Sequence, residues 1–301
     1  MNIKIGSEER SGEKMLTSQD IIRGIRKLHT IREKDPVPEE LRGWSFHTPP
    51  IKPRAYLGLG VSEISNRYCE TKRDVYLRRV MRIKPSKTQI LQIGSSIHKI
   101  FTLASDRTRE IIFSKNPLER LERELLVANK RVSEICIDSI YKYCISLYKK
   151  LLITWVSEGI KSEAMYGGLS ISSIPWFTEL RVDGTLIGLS DKLSIDALMN
   201  PLIIAEIKSG LEKDFHKLSL AGYALAIESS LEIPVDYGVI IYVNSMPENP
   251  EIRYETYYIS PDLRKEFIDA RDDLIDLILS RRDPGKPRLC PDTCPFKEFC
   301  G

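Results

Sequence analysis

The apolar residues of this 301-residue chain change their spacing once, near Gly168. From Val61 to about Ala164 they recur at intervals of three and four residues, a spacing typical of amphipathic helices. After Gly168 they fall into short alternating runs separated by turn residues, which predict strands. The sequence therefore predicts an α/β protein, with a mixed sheet flanked by helices.

Five strands and two helices are predicted after Gly168. The first three strands are expected to be antiparallel, and they lie in IPWFTELRVDG, TLIGLSDKLSI and PLIIAEIKSG. A helix in DFHKLSLAGYALAIESS comes next, and strands in VDYGVIIYVNS and EIRYETYYIS follow it. Proline is favoured in the first turn of a helix, so a last helix is expected to begin at Pro261.

Two segments precede the region of helical spacing. Thr17 or Ser18 is the expected N-cap of a first helix, which ends before Asp35. A loop with five prolines then runs to about Leu59, and packing is expected to order it. We interpret residues 1–56 as an N-terminal extension of a main domain at 57–301.

Composition and charge restrict the class of protein. The first residues are polar, and no run of 18 apolar residues could span a membrane, so we expect a cytoplasmic protein with no membrane partner. Lysine and arginine number 45 against 42 acidic residues, a net charge of +3 that does not by itself argue for a nucleic-acid partner. A charged fraction of 29% with few glutamines is typical of thermophiles.

Three of the six cysteines, Cys290, Cys294 and Cys300, lie in the last twelve residues. In a reducing cytosol, clustered cysteines are more often metal ligands or redox groups than disulfides, although hyperthermophile proteins are an exception. Cys136 and Cys144 lie in an apolar helical stretch instead. We expect these two to be small core residues.

Charged residues in the strand region are candidates for catalysis. Glu206 and Lys208 are two apart in AEIKSG, so a strand places both on one face. Asp191 is at even spacing from Leu189, Leu193 and Ile195 and is therefore expected on the core side of its strand. It lies opposite Glu206 if the hairpin turn is centred between residues 198 and 199. Asp196 is the rival carboxylate, expected on the other strand face and inside the turn.

A carboxylate opposite Glu-x-Lys suits metal-assisted cleavage of phosphodiesters. Two carboxylates hold Mg²⁺ or Mn²⁺ while an ammonium stabilises charge on the attacking water or phosphate. His98, in Gly94-Ser-Ser-Ile-His98, faces inward if this segment opens a helix, and an imidazole nitrogen can bind a metal. A solvated strand face and a hydrogen-bonded core histidine are the structural alternatives.

The order of these motifs resembles the RecB-like branch of the PD-(D/E)xK nucleases, and within it the iron-sulfur exonucleases of CRISPR adaptation, in the archaeal type I-A variant. The resemblance covers about residues 57–301. It implies a restriction-endonuclease-like fold with a helical subdomain at 85–165. It also implies that an iron-sulfur cluster joins the two ends of the domain.

The resemblance also implies roles for individual residues. Asp191, Glu206 and Lys208 would be catalytic. The metal ligands would be His98, Asp191, Glu206 and the backbone carbonyl of Ile207. Glu179 resembles an acidic position ahead of the aspartate, with no assigned role. The family carries Gln-x3-Tyr on the helix after the catalytic strands, whereas this chain has Ser219 ahead of Tyr223.

The cysteine arrangement is similar to that of the same family, with one cysteine near the start of the nuclease domain and three at its end. Cys69, Cys290, Cys294 and Cys300 would together hold one [4Fe-4S] cluster. Structural Zn²⁺ is the alternative, because four thiolates suit either metal.

A basic segment next to Cys69 is a candidate for contact with phosphates. It contains Lys72, Arg73, Arg78, Arg79, Arg82, Lys84 and Lys87. A solvated helical face is the alternative. The family resemblance implies a metal-dependent nuclease that processes single-stranded or frayed DNA ends during spacer acquisition and works with the integrase proteins of adaptation. The other hypothesis is a catalytically silent DNA-binding or docking subunit of the same complex.

Overall fold

A computed structural model describes residues 17–167, 179–199, 202–244, 249–290 and 292–300. The helices in these ranges are α1 (Ser18–Lys34), α2 (Val61–Ser65), α3 (Arg73–Arg79), α4 (Gln89–Ile112), α5 (Pro117–Ser133), α6 (Tyr141–Tyr166), α7 (Leu218–Leu231), α8 (Pro261–Ser280) and α9 (Lys297–Cys300). The strands are β1 (Leu180–Val182), β2 (Leu193–Ile195), β3 (Ala197–Met199), β4 (Ile203–Ser209), β5 (Tyr237–Val243) and β6 (Ile252–Tyr258). No described helix is long and apolar enough to cross a membrane.

A four-stranded mixed sheet, in the order β3-β4-β5-β6, forms the centre of the molecule. Strands β4 and β5 are parallel, with α7 between them in the chain, and the two outer strands pair antiparallel. Parallel strands need a long crossover, which a helix supplies. The predicted α/β class with a mixed sheet is confirmed.

Helices cover both faces of this sheet and divide the core into two clusters. On one face α1, α4 and α6 pack against alternate β4 residues that include Ile203 and Ala205. On the other face α7 and α8 pack against Ile204 and Ile240. Burying both faces requires nearly continuous apolar strands, and all seven residues of β5 are buried.

The first half is helical, as its spacing predicted, although Gly94-Ser-Ser-Ile-His98 does not open its helix, because α4 begins at Gln89. Thr17 is the N-cap of α1, and its side chain accepts a hydrogen bond from the backbone N–H of Asp20, as expected. The segment 85–165 contains α4, α5 and most of α6. The expectation for Cys136 and Cys144 needs a correction: Cys144 is buried as expected, but the two residues form a disulfide.

The second predicted strand, TLIGLSDKLSI, is wrong as a single strand. Thr185–Ile187 form a 3-10 turn that ends at Gly188, whose φ of +79° favours glycine. The chain then turns through Asp191 before it enters β2. Strand β2 pairs with β1 in a separate two-stranded sheet, and a bend at Asp196 leads into β3 of the main sheet.

The C-terminal residues pack against α3. Phe296 is fully buried in a small apolar cluster with Tyr76 and Leu77. The Arg73 guanidinium donates to both carboxylate oxygens of Asp283, at 2.8–3.1 Å, and to Cys300 Sγ at 3.3 Å. The two ends of the 57–301 region are therefore in contact.

A group of buried charges, which we call the closed cluster, fixes α7 and α8 to the N-terminal loop. It consists of Arg42, Glu228, Asp236 and Arg264. Arg264 is fully buried and donates to both oxygens of Glu228, at 2.7 and 2.9 Å. Arg42 donates to Glu228 and Asp236 at 2.8 and 2.6 Å. Each buried charge has an opposite charge as a hydrogen-bond partner, which burial requires.

Candidate active site

Glu206 and Lys208 lie in the carboxyl-terminal half of β4, on the face that α7 covers. Their side chains form an ion pair. Burial alone would lower the pKa of Lys208, but the charges of Glu206 and Asp196 outweigh it and raise that pKa above its ordinary value. The two carboxylates therefore favour the charged form of Lys208.

Asp196, and not Asp191, lies opposite Glu206. Ala197 pairs with Ala205 in the β3–β4 hairpin, so the register differs from the one expected for a turn centred between residues 198 and 199. Asp196, which precedes Ala197, therefore faces Glu206, which follows Ala205. The predicted register was wrong because even spacing from Leu193 assumed an unbroken strand, whereas Asp191 lies exposed in a turn ahead of β2.

His98 reaches this point from α4. Its Nδ1 atom lies 2.9 Å from Asp196 Oδ1, and the second oxygen of Asp196 accepts the backbone N–H of Ile207 at 2.8 Å. Burial alone would lower the pKa of His98, but the hydrogen bond and charge of Asp196, with that of Glu206, raise it. The glycine of the Gly94-x3-His98 motif lets α4 approach β4, because a Cβ there would lie 3.2 Å from Ser209 Oγ.

The strand β3 stops short of Ile207, and a small pocket opens at this edge. The pocket is lined by His98, Phe101, Thr102, Glu179, Asp196 and Ile207. Because the N–H and C=O of one strand residue point to the same side, the Ile207 carbonyl faces the Asp196 side of β4. Glu179, to which the family resemblance assigned no role, contributes a third carboxylate to the site.

The helix α7 covers the site from the other face. The Ser219 hydroxyl, at the position where the family resemblance leads one to expect glutamine, donates to Glu206. Tyr223 lies near both carboxylates, and its pKa is held well above the ordinary value by burial first and then by the charges of Glu206 and Asp196. The serine therefore contacts strand β4 through Glu206.

Two further residues beside Lys208 were missed by sequence reasoning. Tyr68 Oη lies 3.2 Å from Nε2 of His216, a buried histidine in the turn before α7. Burial and the charge of Lys208 lower the pKa of His216 to about 4, so it is neutral near pH 7. The only sequence signal was the position of Tyr68 directly before Cys69, since the two rings are 148 residues apart.

The group formed by His98, Asp196, Glu206 and Lys208, which we call the open cluster, suits a hard divalent cation. With Glu179 it places three carboxylates and an imidazole next to one lysine, and Mg²⁺ and Mn²⁺ prefer oxygen ligands. Asp196 and Glu206 are hydrogen bonded to their protein neighbours. Among the described residues, no group of three or more His, Cys, Asp or Glu side chains has the arrangement of a metal site.

The four cysteines of the predicted cluster lie in the contact between the Cys69 region and the C-terminal tail. None of these four residues is in a disulfide, and all four are partly buried. Burial raises the pKa of the Cys294 thiol, and the neighbouring Cys290 and Cys69 thiols raise it further. These three sulfurs are therefore close together, and Arg73 binds the fourth, that of Cys300.

The basic segment is divided between structural and exposed side chains. Lys72 donates to three backbone carbonyls at the end of α2, and Arg73 binds the C-terminal tail. Arg78 and Arg79 pair with the buried Glu63. The remaining members, Arg82, Lys84 and Lys87, are exposed.

Comparison with known proteins then decides the family. The model of the family described as "CRISPR-associated exonuclease Csa1" matches residues 15–301. The chain belongs to this family. This result confirms the resemblance to CRISPR-associated exonucleases that the order of the motifs indicated.

Two Csa1 relatives are similar over nearly their whole lengths. A protein named CRISPR-associated exonuclease Csa1 from Thermoproteus tenax is 30% identical over 286 residues, which cover 95% of this chain and 99% of the relative. A protein of the same name from Saccharolobus solfataricus is 34% identical over 272 residues, which cover 88% and 92%. The Csa1 match includes both the open cluster and the four cysteines.

Proposed function

We propose that this chain is a metal-dependent DNA nuclease that processes DNA ends during CRISPR spacer acquisition. The observation that carries the proposal is the convergence of His98, Asp196, Glu206 and Lys208 at the edge of β4. These residues come from three separate elements and meet beside a pocket. Membership in a family of CRISPR-associated exonucleases supports a nuclease over other phosphodiester chemistry.

Asp196, Glu206, His98 and the Ile207 carbonyl would hold Mn²⁺ or Mg²⁺, with Glu179 at the rim of the pocket. A divalent ion bound there supplies a water of lowered pKa as the nucleophile and neutralises phosphate charge. Lys208 is held beside Glu206 as a cation, so it would bind a phosphate oxygen or orient the attacking water. Ser219 positions Glu206 through its hydrogen bond.

The two aspartates give a direct test. Asp196→Asn should abolish cleavage of a labelled DNA strand in Mn²⁺ and in Mg²⁺ and weaken Mn²⁺ binding by calorimetry, because Asp196 contacts the imidazole and the strand edge. Asp191→Asn is the matched control and should cleave at the unmodified rate, since Asp191 is exposed in a turn. Loss of cleavage in Asp191→Asn with retention in Asp196→Asn would reject the assignment. An unmodified protein that binds DNA but never cleaves it would be a docking subunit instead.

Cys69, Cys290, Cys294 and Cys300 are proposed to hold one [4Fe-4S] cluster that fastens the C-terminal tail to α3. Three of these sulfurs interact in the structure, and the pairing of Arg73 with Cys300 suits a thiolate. Iron and sulfide analysis with visible absorbance tests the assignment, and zinc without iron would replace it. Cys69→Ser should lose the metal, whereas Cys136→Ala, which removes the disulfide, should keep it.

The proposed partners are DNA with single-stranded or frayed ends and the integrase proteins of CRISPR adaptation. Membership in a family of CRISPR-associated exonucleases supports DNA as the substrate, and a metal held by carboxylates beside a lysine would suit phosphodiester cleavage. Co-purification of the integrase with this chain, with and without a DNA end, is the measurement for the second partner. Failure to associate under both conditions would remove the integrase from the proposal.

A further inference from the structure

An exposed aromatic ring lies beside the open cluster. Tyr68 is 50% exposed, although its hydroxyl is 3.2 Å from the buried ring of His216. The ring of Phe215 packs against Tyr68 at right angles, with centroids 5.0 Å apart. One side of Tyr68 is therefore supported and the rest of the ring is presented to solvent.

Several contacts hold this ring in place. The side chain of Asn66 accepts the backbone N–H of Tyr68 at 2.9 Å, which fixes the loop. His216 is only 6% exposed and packs near Tyr242, with ring centroids 5.8 Å apart. A fixed aromatic side chain loses little conformational freedom when a ligand stacks on it.

Two lysines lie near Tyr68 and the residues that support it, and Lys213 directly precedes the turn Asp214–Lys217 that carries Phe215 and His216. Lys208 is close enough for its charge to act on the Tyr68 hydroxyl, and Lys213 is close enough to act on His216. Proteins that bind single-stranded nucleic acids combine cations that follow the phosphates with aromatic rings on which bases stack. The surroundings of Tyr68 have both parts of that arrangement.

We infer that the Tyr68 ring stacks on a base of single-stranded DNA next to the phosphate that lies at Lys208. The inference rests on the proposed nuclease function and adds the contact that orients the strand. Because every base has an aromatic face, such a contact holds DNA of any sequence. It also places a DNA contact next to Cys69, so that the cysteine region adjoins the path of the strand.

Fluorescence anisotropy with a labelled single-stranded oligonucleotide, in chelator so that no cleavage occurs, measures the contact. Tyr68→Leu should weaken binding by about tenfold to a hundredfold, the usual effect of losing one stacked base. Tyr68→Phe and Tyr68→Trp keep an aromatic ring at this position. Both variants should bind the oligonucleotide about as tightly as the unmodified protein, or more tightly. Tyr56→Leu is the matched control, because Tyr56 is 61% exposed and lies in the loop before α2.

An abasic nucleotide placed at each position of the oligonucleotide in turn identifies the stacked base. One position should weaken binding to the unmodified protein and have no further effect in Tyr68→Leu. Equal binding by Tyr68→Leu and the unmodified protein would overturn the inference, as would a loss in Tyr68→Phe as large as in Tyr68→Leu. Melting temperature and metal content show whether Tyr68→Leu is folded; if it is not, Tyr68→Trp and the abasic series decide.

Binding and cleavage are separate outcomes in this design. If the expected binding losses appear but the unmodified protein cleaves nothing in Mn²⁺, the stacking contact stands and the nuclease proposal fails. If the protein cleaves DNA while Tyr68→Leu binds normally, the nuclease proposal stands and the stacking contact is rejected.

Discussion

The closed cluster and the open cluster lie near opposite ends of α7 and use the same kinds of side chain differently. In the closed cluster Glu228 accepts from two arginines and from the backbone N–H groups of Gly43 and Val235. In the open cluster carboxylates outnumber lysine beside a pocket. Balanced, fully hydrogen-bonded charge fixes elements in place, whereas an excess of carboxylate at an opening is suited to binding a cation.

Loss of one charge should lower the free energy of unfolding more in the closed cluster than in the open cluster. Arg264→Met leaves Glu228 buried with fewer partners, and breaking a buried ion pair costs about 3–5 kcal/mol. Urea unfolding measures the change in the free energy of unfolding. Arg54→Met, which removes an exposed arginine paired with Asp276 and Asp272, is the control and is expected to cost about 0–1 kcal/mol. Similar losses in both variants would show that burial does not distinguish these ion pairs.

In the open cluster a lost charge should affect rate more than stability. Lys208→Met should lower the single-turnover rate of cleavage by about a hundredfold to a thousandfold, the usual effect of losing one group that stabilises transition-state charge. Its urea midpoint should stay close to that of the unmodified protein. Lys192→Met, an exposed lysine near β2, is the control for charge. A stability loss as large as that of Arg264→Met would mean that Lys208 is structural.

Glu158 is an intermediate case, a largely buried carboxylate whose donors are the neutral backbone N–H groups of Ser18 and Gln19, at 3.4 and 3.3 Å. Burial, with the nearby charge of Asp20, raises its pKa from 4.5 to about 7. The fold therefore favours the protonated form of Glu158. As the pH rises from about 4.5 to about 7, the Glu158 carboxyl group ionises in the unfolded chain but stays protonated in the fold, and the free energy of unfolding falls.

Unfolding at several pH values tests this effect of Glu158. The free energy of unfolding of Glu158→Gln, which stays neutral, should decline less between pH 4 and pH 8 than that of the unmodified protein. These two pH values lie on either side of the range from about 4.5 to about 7 over which Glu158 loses its proton in the unfolded and folded states. Identical pH dependence of the two proteins would show that Glu158 keeps an ordinary pKa in the fold.

The smallest effect is expected at the exposed end of the basic segment. Lys84→Ser should weaken DNA binding slightly and reduce the slope of the logarithm of affinity against the logarithm of salt by about one, if Lys84 contacts one phosphate. Lys27→Ser, an exposed position on α1, should leave the slope unchanged. Equal slopes for all three proteins would remove Lys84 from the DNA-binding surface.

Sequence reasoning placed the long elements and failed where elements are short. The longer helices and the strands β4, β5 and β6 carry their own spacing over seven or more residues. In contrast β1, β2 and β3 have three residues each, and the conformation of Gly188 and the bend at Asp196 decide which side chain faces which. Glu206 and Lys208 were placed together because both belong to β4. The choice between Asp191 and Asp196 depended on the pairing register of β3 with β4, which the alternation of apolar and polar residues does not specify.

The closed cluster lay beyond sequence reasoning for a different reason. Arg42 and Glu228 are 186 residues apart, and neither position has a local pattern that distinguishes it from a surface charge. A separation of 148 residues likewise hid the contact of Tyr68 with His216. The distant partner of a single charged residue can be identified only in the folded structure, where burial of the pair shows that it contributes to the fold.

The contact between α3 and the C-terminal tail has a consequence for how the protein is made. Arg73 and Asp283 are 210 residues apart, so at about 5–20 residues per second the ribosome needs roughly 10–40 s to make the second after the first. During that interval Tyr76 and Leu77 have no Phe296 to cover them. The nascent chain therefore passes through a stage in which this apolar face of α3 is available to chaperones and to other nascent chains.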